Sequence, residues 1–326
     1  MRLDHPIFQG PLAPAIEIGG IDTPAHYRSW HGGRELPEKL PAWTVQSGEP
    51  GKSVDFGLVS SGYGYEDSPD AEWISGGVNS KGPWSMALGR QGNWFLWGFA
   101  GDPTQMTASA RRVFVNTIVW MDRFDGRAPL HATGRGAAGR MSPRDEVLNL
   151  CCTIEKYGGQ ERMQDYLRSQ LSERVLDEFG LDAAALSAYF GERIEYVLPA
   201  KSRVKLRDHE TEACRFDVDE TLEGYRVSNR RPEFLDLMQR LLEQKGAADP
   251  AVAELTDRYL PAEAPRAPAQ FRRWVADRRG RLYFSDFYGY RWFVAPEGLP
   301  SRPTAGAIPP AAPSGSPPPS GAGGPR

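Results

Sequence analysis

The chain is poor in cysteine and has no long hydrophobic run. It contains three cysteines, of which Cys151 and Cys152 are adjacent and Cys214 is distant, and this argues against a disulfide framework. No stretch of about 18 apolar residues occurs, so no transmembrane helix is expected. The opening residues, MRLDHPIFQG, lack the apolar core of a signal peptide. We therefore expect a cytoplasmic protein, or an exported one if a longer N-terminus precedes Met1.

An excess of charge of one sign is also missing. Lysine and arginine number 39 against 42 aspartate and glutamate, which gives a formal net charge of −3 and a pI near 6.0. No block of basic residues occurs, so neither nucleic acid nor an anionic membrane is an expected partner. What the chain does have is 40% hydrophobic residues, including 9 Trp, 12 Tyr and 14 Phe. This composition is typical of a soluble globular protein, and 326 residues suggest about two domains.

Hydrophobic spacing predicts the main secondary-structure elements. Two apolar runs, 84–88 and 94–99, flank a turn that contains Gly and Asn, and together they predict a β-hairpin. Thr107 and the 3.6-residue spacing after it predict an amphipathic helix to about residue 122. Ser142-Pro143 predicts the start of another helix, which Gly158-Gly159 ends. Further helices are predicted at 161–179, 183–197, 232–245, 250–260 and 268–279, an extended segment at 202–218 and an aromatic hairpin at 281–294.

These elements predict four regions along the chain. They are an α/β domain at 1–126, a linker rich in Gly, Ala and Arg at 127–141, a mostly helical domain ending in the aromatic β-hairpin at 142–298, and a tail rich in Pro, Gly and Ser at 299–326. Thirteen of the 26 residues from 301 onward are Pro or Gly, and none is aromatic. Such a segment cannot bury enough apolar surface to offset its ordering entropy, so we expect a disordered C-terminal tail.

Residues 94–97 are apolar on both faces of the predicted strand. Trp94 and Leu96 point to one face, and Phe95 and Trp97 to the other. Strands that are buried on both faces are typical of sheets with helices on both sides. We therefore expect an α/β fold in which this strand is covered on both sides.

The sequence lacks the motifs of several common chemistries. Gly76–Lys81 is followed by Gly82 and Pro83 rather than by a helix, so a turn-rich loop is favoured over a phosphate-binding loop. No G-x-S-x-G occurs, and Cys151 lies with its neighbour inside an apolar predicted helix, which favours a structural role. The five histidines have no zinc-site spacing, and His131, in the linker, is expected to be exposed.

Four carboxylates lie close together just before that loop. Glu66, Asp67, Asp70 and Glu72 fall within seven residues. Hard cations such as Ca²⁺ bind several carboxylate oxygens, but the residue order of an EF-hand is absent. The alternatives are a turn cap formed by Asp70 and simple solvation of the others. We predict neither a metal nor a cofactor for the chain.

Three motifs occur in an order that resembles a known family. They are HPIFQGPL at 5–12, ALGRQGNWFLWGF at 87–99 and ARRVFVNTIVWM at 110–121. In this order they resemble the second half of ThuA-like domains, which are similar in fold to class I glutamine amidotransferases. The family's final helix carries an Asn and a Trp, here Asn116 and Trp120. The resemblance implies a partial flavodoxin-like sheet layer without its opening strands. It does not carry over the amidotransferase cysteine, because no cysteine precedes residue 151.

Most of the chain also resembles a group of bacterial proteins typified by planctomycete sequences. The matching motifs are EDSPDAEWISGGVNSKGP at 66–83, SNRRPEFLDLMQRLLEQ at 228–244 and FRRWVADRRGRLYFSDFYGYRWFV at 271–294. This resemblance covers most of 1–296. It is not tied to an activity.

Two functions stay open at this point. One is a non-catalytic or ligand-binding ThuA-like module with a small polar ligand, a carbohydrate or a protein as partner, which the missing nucleophile–base pair and metal motif favour. The other is an enzyme, a hydrolase or sugar-modifying protein, that acts on a carbohydrate or related polar small molecule. The candidate ligand-binding residues are His5, Glu66, Asp67, Asn79, Lys81 and Arg90.

Overall fold

The computed structural model describes residues 1–46, 59–62, 68–99, 103–131, 142–206 and 209–299. The chain is a mixed α/β protein in which helix outweighs strand, 45% against 19%. The described strands are β1 (Ile18–Asp22), β2 (Lys39–Trp43), β3 (Ser60–Ser61), β4 (Ala71–Gly76), β5 (Ser85–Gln91), β6 (Trp94–Trp97), β7 (Val197–Leu206), β8 (His209–Val218), β9 (Leu282–Ser285) and β10 (Arg291–Val294). The described helices are α1 (Ala108–Met121), α2 (Pro143–Tyr157), α3 (Glu161–Ser169), α4 (Glu173–Phe179), α5 (Ala183–Glu192), α6 (Glu220–Tyr225), α7 (Glu233–Gln244), α8 (Pro250–Tyr259) and α9 (Pro268–Arg278).

The N-terminal part of the chain, up to residue 131, is organised around β5. This strand pairs antiparallel with β4 on one edge and with β3 and β6 on the other. Its residues from Ser85 to Arg90 are all buried. Helix α1 and a short turn of helix at Pro6–Phe8 share a hydrophobic core with the sheet, to which Ile74, Leu88 and Trp120 contribute. Strand β5 is therefore the most enclosed element of this part.

Helix α1 is joined to the N-terminal segment by the side chain of Asn116. The side chain of Thr107 caps the helix by accepting from the Ala110 N–H, as the sequence predicts. Asn116 is fully buried, and its Nδ2 donates to the carbonyl oxygens of Ile7 and Leu12 at 2.9 and 2.8 Å. Its Oδ1 accepts from the Leu12 N–H at 2.8 Å. One buried amide thus satisfies backbone groups of a segment about a hundred residues away.

The C-terminal part of the chain, from residue 142, contains two hydrophobic cores. The first is enclosed by α2 to α5 and the β7–β8 hairpin, and the second by α6 to α9 and the β9–β10 hairpin. Tyr196 packs against both cores, so they adjoin. None of the helices in the described ranges has the length and apolar character needed to cross a membrane.

Most of the predicted elements are confirmed. The hairpin at 84–99, the helices that start after Thr107 and Ser142, and the hairpin at 281–294 are all present. The helix predicted at 161–179 is instead two helices, α3 and α4, because Ser172 caps a new helix by accepting from the Val175 N–H. The helix predicted at 183–197 ends early, and β7 starts at Val197. The remainder of the predicted linker and tail, 132–141 and 300–326, lies outside the described residues.

The expected strand covered on both sides is wrong. Strand β6 has β5 as its partner among the described strands, and Trp94 is 72% exposed. All pairings between the described strands are antiparallel, so they do not form the parallel layer of a flavodoxin-like fold. For β5 and β6 the reason is the two-residue turn Gly92-Asn93 that joins them, because such a turn can join only antiparallel neighbours.

Substitutions at two glycines distinguish the free-energy cost of a positive φ from that of a close contact with neighbouring backbone. Gly92 has φ +54°, and a Cβ there would lie 2.6 Å from the Arg127 carbonyl oxygen. Gly126 has φ +70°, and a Cβ there would meet nothing within 4 Å. We expect Gly126→Ala to cost about 1–2 kcal/mol of unfolding free energy from φ alone. Gly92→Ala should cost about 1–3 kcal/mol more, because the neighbouring backbone must move. Urea denaturation of both variants measures the two losses in unfolding free energy. Equal losses would contradict the close contact at Gly92.

Candidate functional site

A buried arginine lies at the centre of the N-terminal sheet. Arg90 on β5 is the direct register partner of Glu72 on β4. Its Nε and Nη2 donate to Glu72 Oε1 at 3.3 and 2.8 Å, and its Nη1 donates to the Gly92 carbonyl oxygen at 2.9 Å. The guanidinium carbon lies 3.9 Å from the ring centre of Phe124 and 5.8 Å from that of Trp120. The charge is therefore paired, hydrogen-bonded and packed against aromatic rings.

His5 is the third member of this network. Its Nε2 lies 3.2 Å from Glu72 Oε2, and its Nδ1 accepts from the Ile7 N–H at 3.4 Å. Because Nδ1 accepts, Nε2 carries the proton and donates to the carboxylate. The imidazole also meets the edge of the Trp120 ring, with ring centres 4.6 Å apart. The structure thus brings together two of the predicted site residues, His5 and Arg90, on the Glu72 carboxylate.

The ionisation of Glu72 shows what this network can do. Burial by itself raises the pKa of Glu72, but hydrogen bonds from His5 and Arg90 and the charge of Arg90 outweigh it and hold the pKa at about 2. A carboxylate with so low a pKa stays ionised at neutral pH and is a weak proton acceptor. We conclude that the network ties strands β4 and β5 to the N-terminal segment.

Asn79 organises a separate loop between β4 and β5. Its Nδ2 donates to the carbonyl oxygens of Gly77 and Gly82 and to Tyr27 Oη, all at 2.8–2.9 Å. Its Oδ1 accepts from the backbone N–H groups of Lys81 and Gly82. The amide is 1% exposed, and all of its hydrogen-bonding groups are used. The interpretation of 76–82 as a turn-rich loop is therefore confirmed.

The other predicted site residues are not gathered with these. The Lys81 ammonium donates to the Val59 carbonyl oxygen at 2.9 Å, and Glu66 and Asp67 lie outside the described residues. Asp70, 3% exposed, accepts from the Leu130 N–H at 2.8 Å. Glu72 is held by Arg90 and His5, so the alternative of simple solvation is wrong for Glu72. Across the part of the chain that the structure describes, no three or more His, Cys, Asp or Glu side chains form a group that could hold a metal ion.

A small cleft lies where the turn that ends at Trp30 meets α2. The two elements are held together by a hydrogen bond from the His31 N–H to Asn149 Oδ1 at 3.0 Å and by an ion pair between Arg34 and Glu155 at 2.8 Å. The cleft has a volume of about 190 Å³. It is lined by Ser29, Trp30, Asn149, Cys152, Thr153, Lys156 and Tyr157.

The loop held by Asn79 supports one wall of the cleft. A Cβ on Gly82 would lie 2.9 Å from Cε2 and 3.2 Å from Nε1 of Trp30, so the glycine backbone packs directly on the indole. His26 Nε2 lies 3.1 Å from the Asn79 carbonyl oxygen, which joins the same loop to the turn that carries Trp30. Asn79 is therefore a positioning residue for this wall and does not line it.

The cleft combines aromatic surface with a few polar groups. Trp30 and Tyr157 supply the rings, and the ammonium of Lys156 lies 5.0 Å from the Tyr157 ring centre. Ser29 and Thr153 supply hydroxyls, which donate to the carbonyl oxygens of His26 and Asn149 respectively and keep their lone pairs available as acceptors. Sequence reasoning missed this site. The two rings are 127 residues apart, and no local pattern pairs them.

A second contact joins the N- and C-terminal parts of the chain at His131. Its Nε2 lies 2.6 Å from Tyr283 Oη, and its ring stacks on Tyr288 with centres 4.0 Å apart. Burial lowers the pKa of His131, and the Asp70 carboxylate partly opposes this. The expectation of an exposed linker histidine is therefore wrong. The cause is the aromatic hairpin β9–β10, which covers the imidazole and also presents Phe293 to it.

The cysteines in α2 fit the structural role that the sequence favours. Cys151 is buried in the core beside Val147 and Ile154. Burial raises the pKa of its thiol to about 12. Since the thiolate is the reactive form, Cys151 is not a nucleophile at neutral pH.

Similarity to known proteins gives no guide to the function. Comparison of the chain with protein-family models, with curated proteins and with solved structures finds no match. Function is therefore inferred from the chemistry of the described residues.

Removing the Glu72 charge should destabilise the protein in a pH-dependent way. Glu72→Gln leaves Arg90 buried without a counter-charge, so we expect a loss of about 3 kcal/mol in unfolding free energy at pH 7. The folded pKa of about 2 lies below the ordinary value of 4.5, so the ionised carboxylate stabilises the fold above pH 4.5. That contribution disappears as the pH falls from 4.5 toward 2. Urea denaturation across this window should show the wild type losing its advantage over Glu72→Gln.

The matched control is an exposed Glu–Arg pair. Glu155→Gln breaks the contact with Arg34, whose side chain is 71% exposed while that of Glu155 is 51% exposed. Exposed pairs contribute about 0–1 kcal/mol, so this variant should stay close to the wild type at every pH. A Glu72 variant no less stable than the Glu155 variant would contradict the structural role of the buried network.

Proposed function

We propose that the chain is a non-catalytic binding module that takes a small polar ligand, a monosaccharide or sugar acid, in the cleft lined by Trp30 and Tyr157. The observation that carries this proposal is the cleft lining, in which two aromatic side chains accompany hydroxyl, amide and ammonium groups. Sites for small molecules are typically lined in this way, and they occur preferentially at boundaries between structural units. The rings offer apolar surface to the C–H face of a sugar, and the polar groups offer partners to its hydroxyls.

The size and charge of the cleft narrow the ligand class. Its volume of about 190 Å³ is below the roughly 300 Å³ at which sites for drug-sized ligands begin, which favours a ligand of one sugar ring. Lys156 is the one charged side chain among the described residues that line it. A neutral or anionic ligand is therefore favoured over a cationic one.

The states of Glu72 and of the predicted site residue Asn79 support binding over catalysis. Glu72 is ionised between His5 and Arg90, and the Asn79 amide is fully used by its own loop. None of these groups is set up to transfer a proton or attack a substrate at neutral pH. A ThuA-like origin is part of the proposal, and the order of the three N-terminal motifs supports it.

The second candidate is an enzyme that acts on a carbohydrate or related polar molecule. The contact at His131 favours it, because an imidazole, the Tyr283 hydroxyl and the nearby Asp70 carboxylate are acid–base groups. The lowered pKa of His131 keeps the imidazole neutral and able to accept a proton at pH 7. Hydrolysis of a panel of nitrophenyl glycosides tests this candidate. Turnover that disappears in His131→Gln would replace the first proposal, and no turnover by the wild type would eliminate the second.

Binding should depend on Trp30 and not on an exposed tryptophan elsewhere. In calorimetric titrations with glucose and with glucuronate, we expect Trp30→Ala to weaken binding at least tenfold because the ring surface is lost. Trp94→Ala, which removes a 72% exposed ring on β6, is the control and should bind as the wild type does. Lys156→Ala should weaken glucuronate binding more than glucose binding. Two outcomes would overturn the proposed site. One is a wild type that binds neither sugar, and the other is an equal loss of affinity in the two tryptophan variants.

A further inference from the structure

The exposed large hydrophobic side chains are concentrated in the N-terminal part of the chain. Among the described residues, nine of the eleven precede His131. Three of them, Val115, Ile118 and Val119, lie on α1 and are 42%, 59% and 52% exposed. Their spacing of three and four residues places them on one face of the helix. We call these three residues the α1 face.

The opposite side of α1 already has its partners. Ala110, Val113, Asn116, Thr117 and Trp120 are buried against the sheet and the N-terminal segment. A surface helix of a globular protein normally carries one apolar stripe and is polar on the other side. Helix α1 is apolar on both sides, and exposed apolar patches of this kind mark interaction surfaces.

Charges at the two ends of the α1 face indicate what covers it. Arg111 lies in the first turn of α1, and Asp122 follows its last residue with helical backbone angles. At 3.6 residues per turn, Arg111, Ile118 and Asp122 fall along the same flank of the face. One flank therefore begins with a cation, continues with an apolar side chain and ends with an anion.

We propose that the α1 face binds a second copy of this chain, with the two α1 helices antiparallel about a two-fold axis. In an antiparallel pair of this symmetry each flank meets the same flank of the partner. An axis near residues 116–117 then places Val115 opposite the partner's Ile118 and Arg111 opposite the partner's Asp122. A parallel pair would instead gather both Arg111 side chains at one end of the interface and both Asp122 side chains at the other. The charge pattern is self-complementary only in the antiparallel arrangement.

Arg112, on the other flank, is held by its own chain. Its Nη1 donates to the Ala13 carbonyl oxygen at 2.9 Å, next to Leu12. This hydrogen bond directs the guanidinium toward the N-terminal segment. Arg111 is also held by its own chain, because its Nη2 donates to the Thr104 carbonyl oxygen at 2.7 Å, and this bond leaves its positive charge at the start of the helix. Val119 and the exposed Arg123 are the other side chains on the Arg112 flank.

The size of the α1 face sets the strength of the association. A helix of 14 residues is about 21 Å long. Stable interfaces bury about 800 Å² on each partner, which is more than one helix face of this length supplies. We therefore expect a weak dimer whose population rises with protein concentration. This inference does not depend on the proposed sugar site.

Sedimentation velocity of the full chain over a wide concentration range tests the dimer. The wild type should shift from its monomer mass of 36.1 kDa toward twice that mass. Ile118→Glu places a charge in the α1 face and should keep the chain monomeric. Ile21→Glu is the matched control, because Ile21 is 40% exposed on β1 and outside the face, and it should dimerise as the wild type does.

Charge reversal distinguishes the antiparallel arrangement from other ways of covering the face. Arg111→Asp alone and Asp122→Arg alone should each weaken dimerisation at least tenfold, because each creates two like-charge contacts. The double variant should restore it, because both pairs re-form with reversed sign. Both reversals suit the helix dipole, with an acid at the N-terminus and a base at the C-terminus, so the helix is not weakened.

Each other outcome overturns the proposal in a specific way. A wild type that stays monomeric throughout rejects the second copy as occupant. A monomer in which Ile118 is protected from hydroxyl-radical labelling until residues 300–326 are removed assigns the face to the chain's own C-terminal segment. A dimer that persists in Ile118→Glu lies elsewhere, and a double variant that fails to dimerise rejects the antiparallel arrangement.

Discussion

The N-terminal part of the protein depends on how it accommodates the charge of Arg90. A buried guanidinium on a β-strand is tolerable only if a counter-charge and hydrogen-bond acceptors reach it. Here Glu72 on β4 supplies the counter-charge and the Gly92 carbonyl in the following turn supplies a second acceptor, while His5 in the N-terminal segment donates to Glu72. The aromatic rings of Trp120 and Phe124 close the remaining side. One charge thereby requires the sheet, the N-terminal segment and the end of α1 to be correctly assembled at the same time.

Throughout this part of the chain, hydrogen bonds from buried polar side chains join one element to another, and hydrophobic cores pack around them. Asn79 closes its own loop and gives Trp30 a backbone surface to pack on, and Asn116 serves the N-terminal segment. A buried amide left without partners is costly, so these residues specify one arrangement of their loops. Ligand binding in the cleft is favoured by this arrangement, because a preformed wall does not lose conformational entropy when a ligand binds.

Local patterns predicted the elements well and their assembly poorly. The caps at Thr107 and Ser142 and the two-residue turn at Gly92-Asn93 act within a few residues, so the helices and the hairpin could be predicted. The sequence indicates His5 and Arg90 as candidates, but it groups their common partner, Glu72, with an acidic cluster. Glu72 faces Arg90 across a strand pair whose register no local pattern shows. The cleft was missed for the same reason, since Trp30 and Tyr157 meet only through tertiary packing. The apolar residues of β6 predicted burial on both faces, yet an edge position leaves Trp94 exposed.

The contact between Asn116 and the N-terminal segment has a consequence for synthesis on the ribosome. Ile7 and Asn116 are separated by 109 residues, and translation proceeds at about 5–20 residues per second. The carbonyl groups that accept from Asn116 therefore lack this hydrogen-bond donor for roughly 5–20 seconds after their own synthesis. His5 and Glu72 are 67 residues apart, so His5 also lacks the carboxylate for roughly 3–13 seconds of that time, and it lacks the Trp120 ring for the whole interval. The segment around His5 and Ile7 therefore precedes the rest of this core in synthesis and is among the last of its parts to pack.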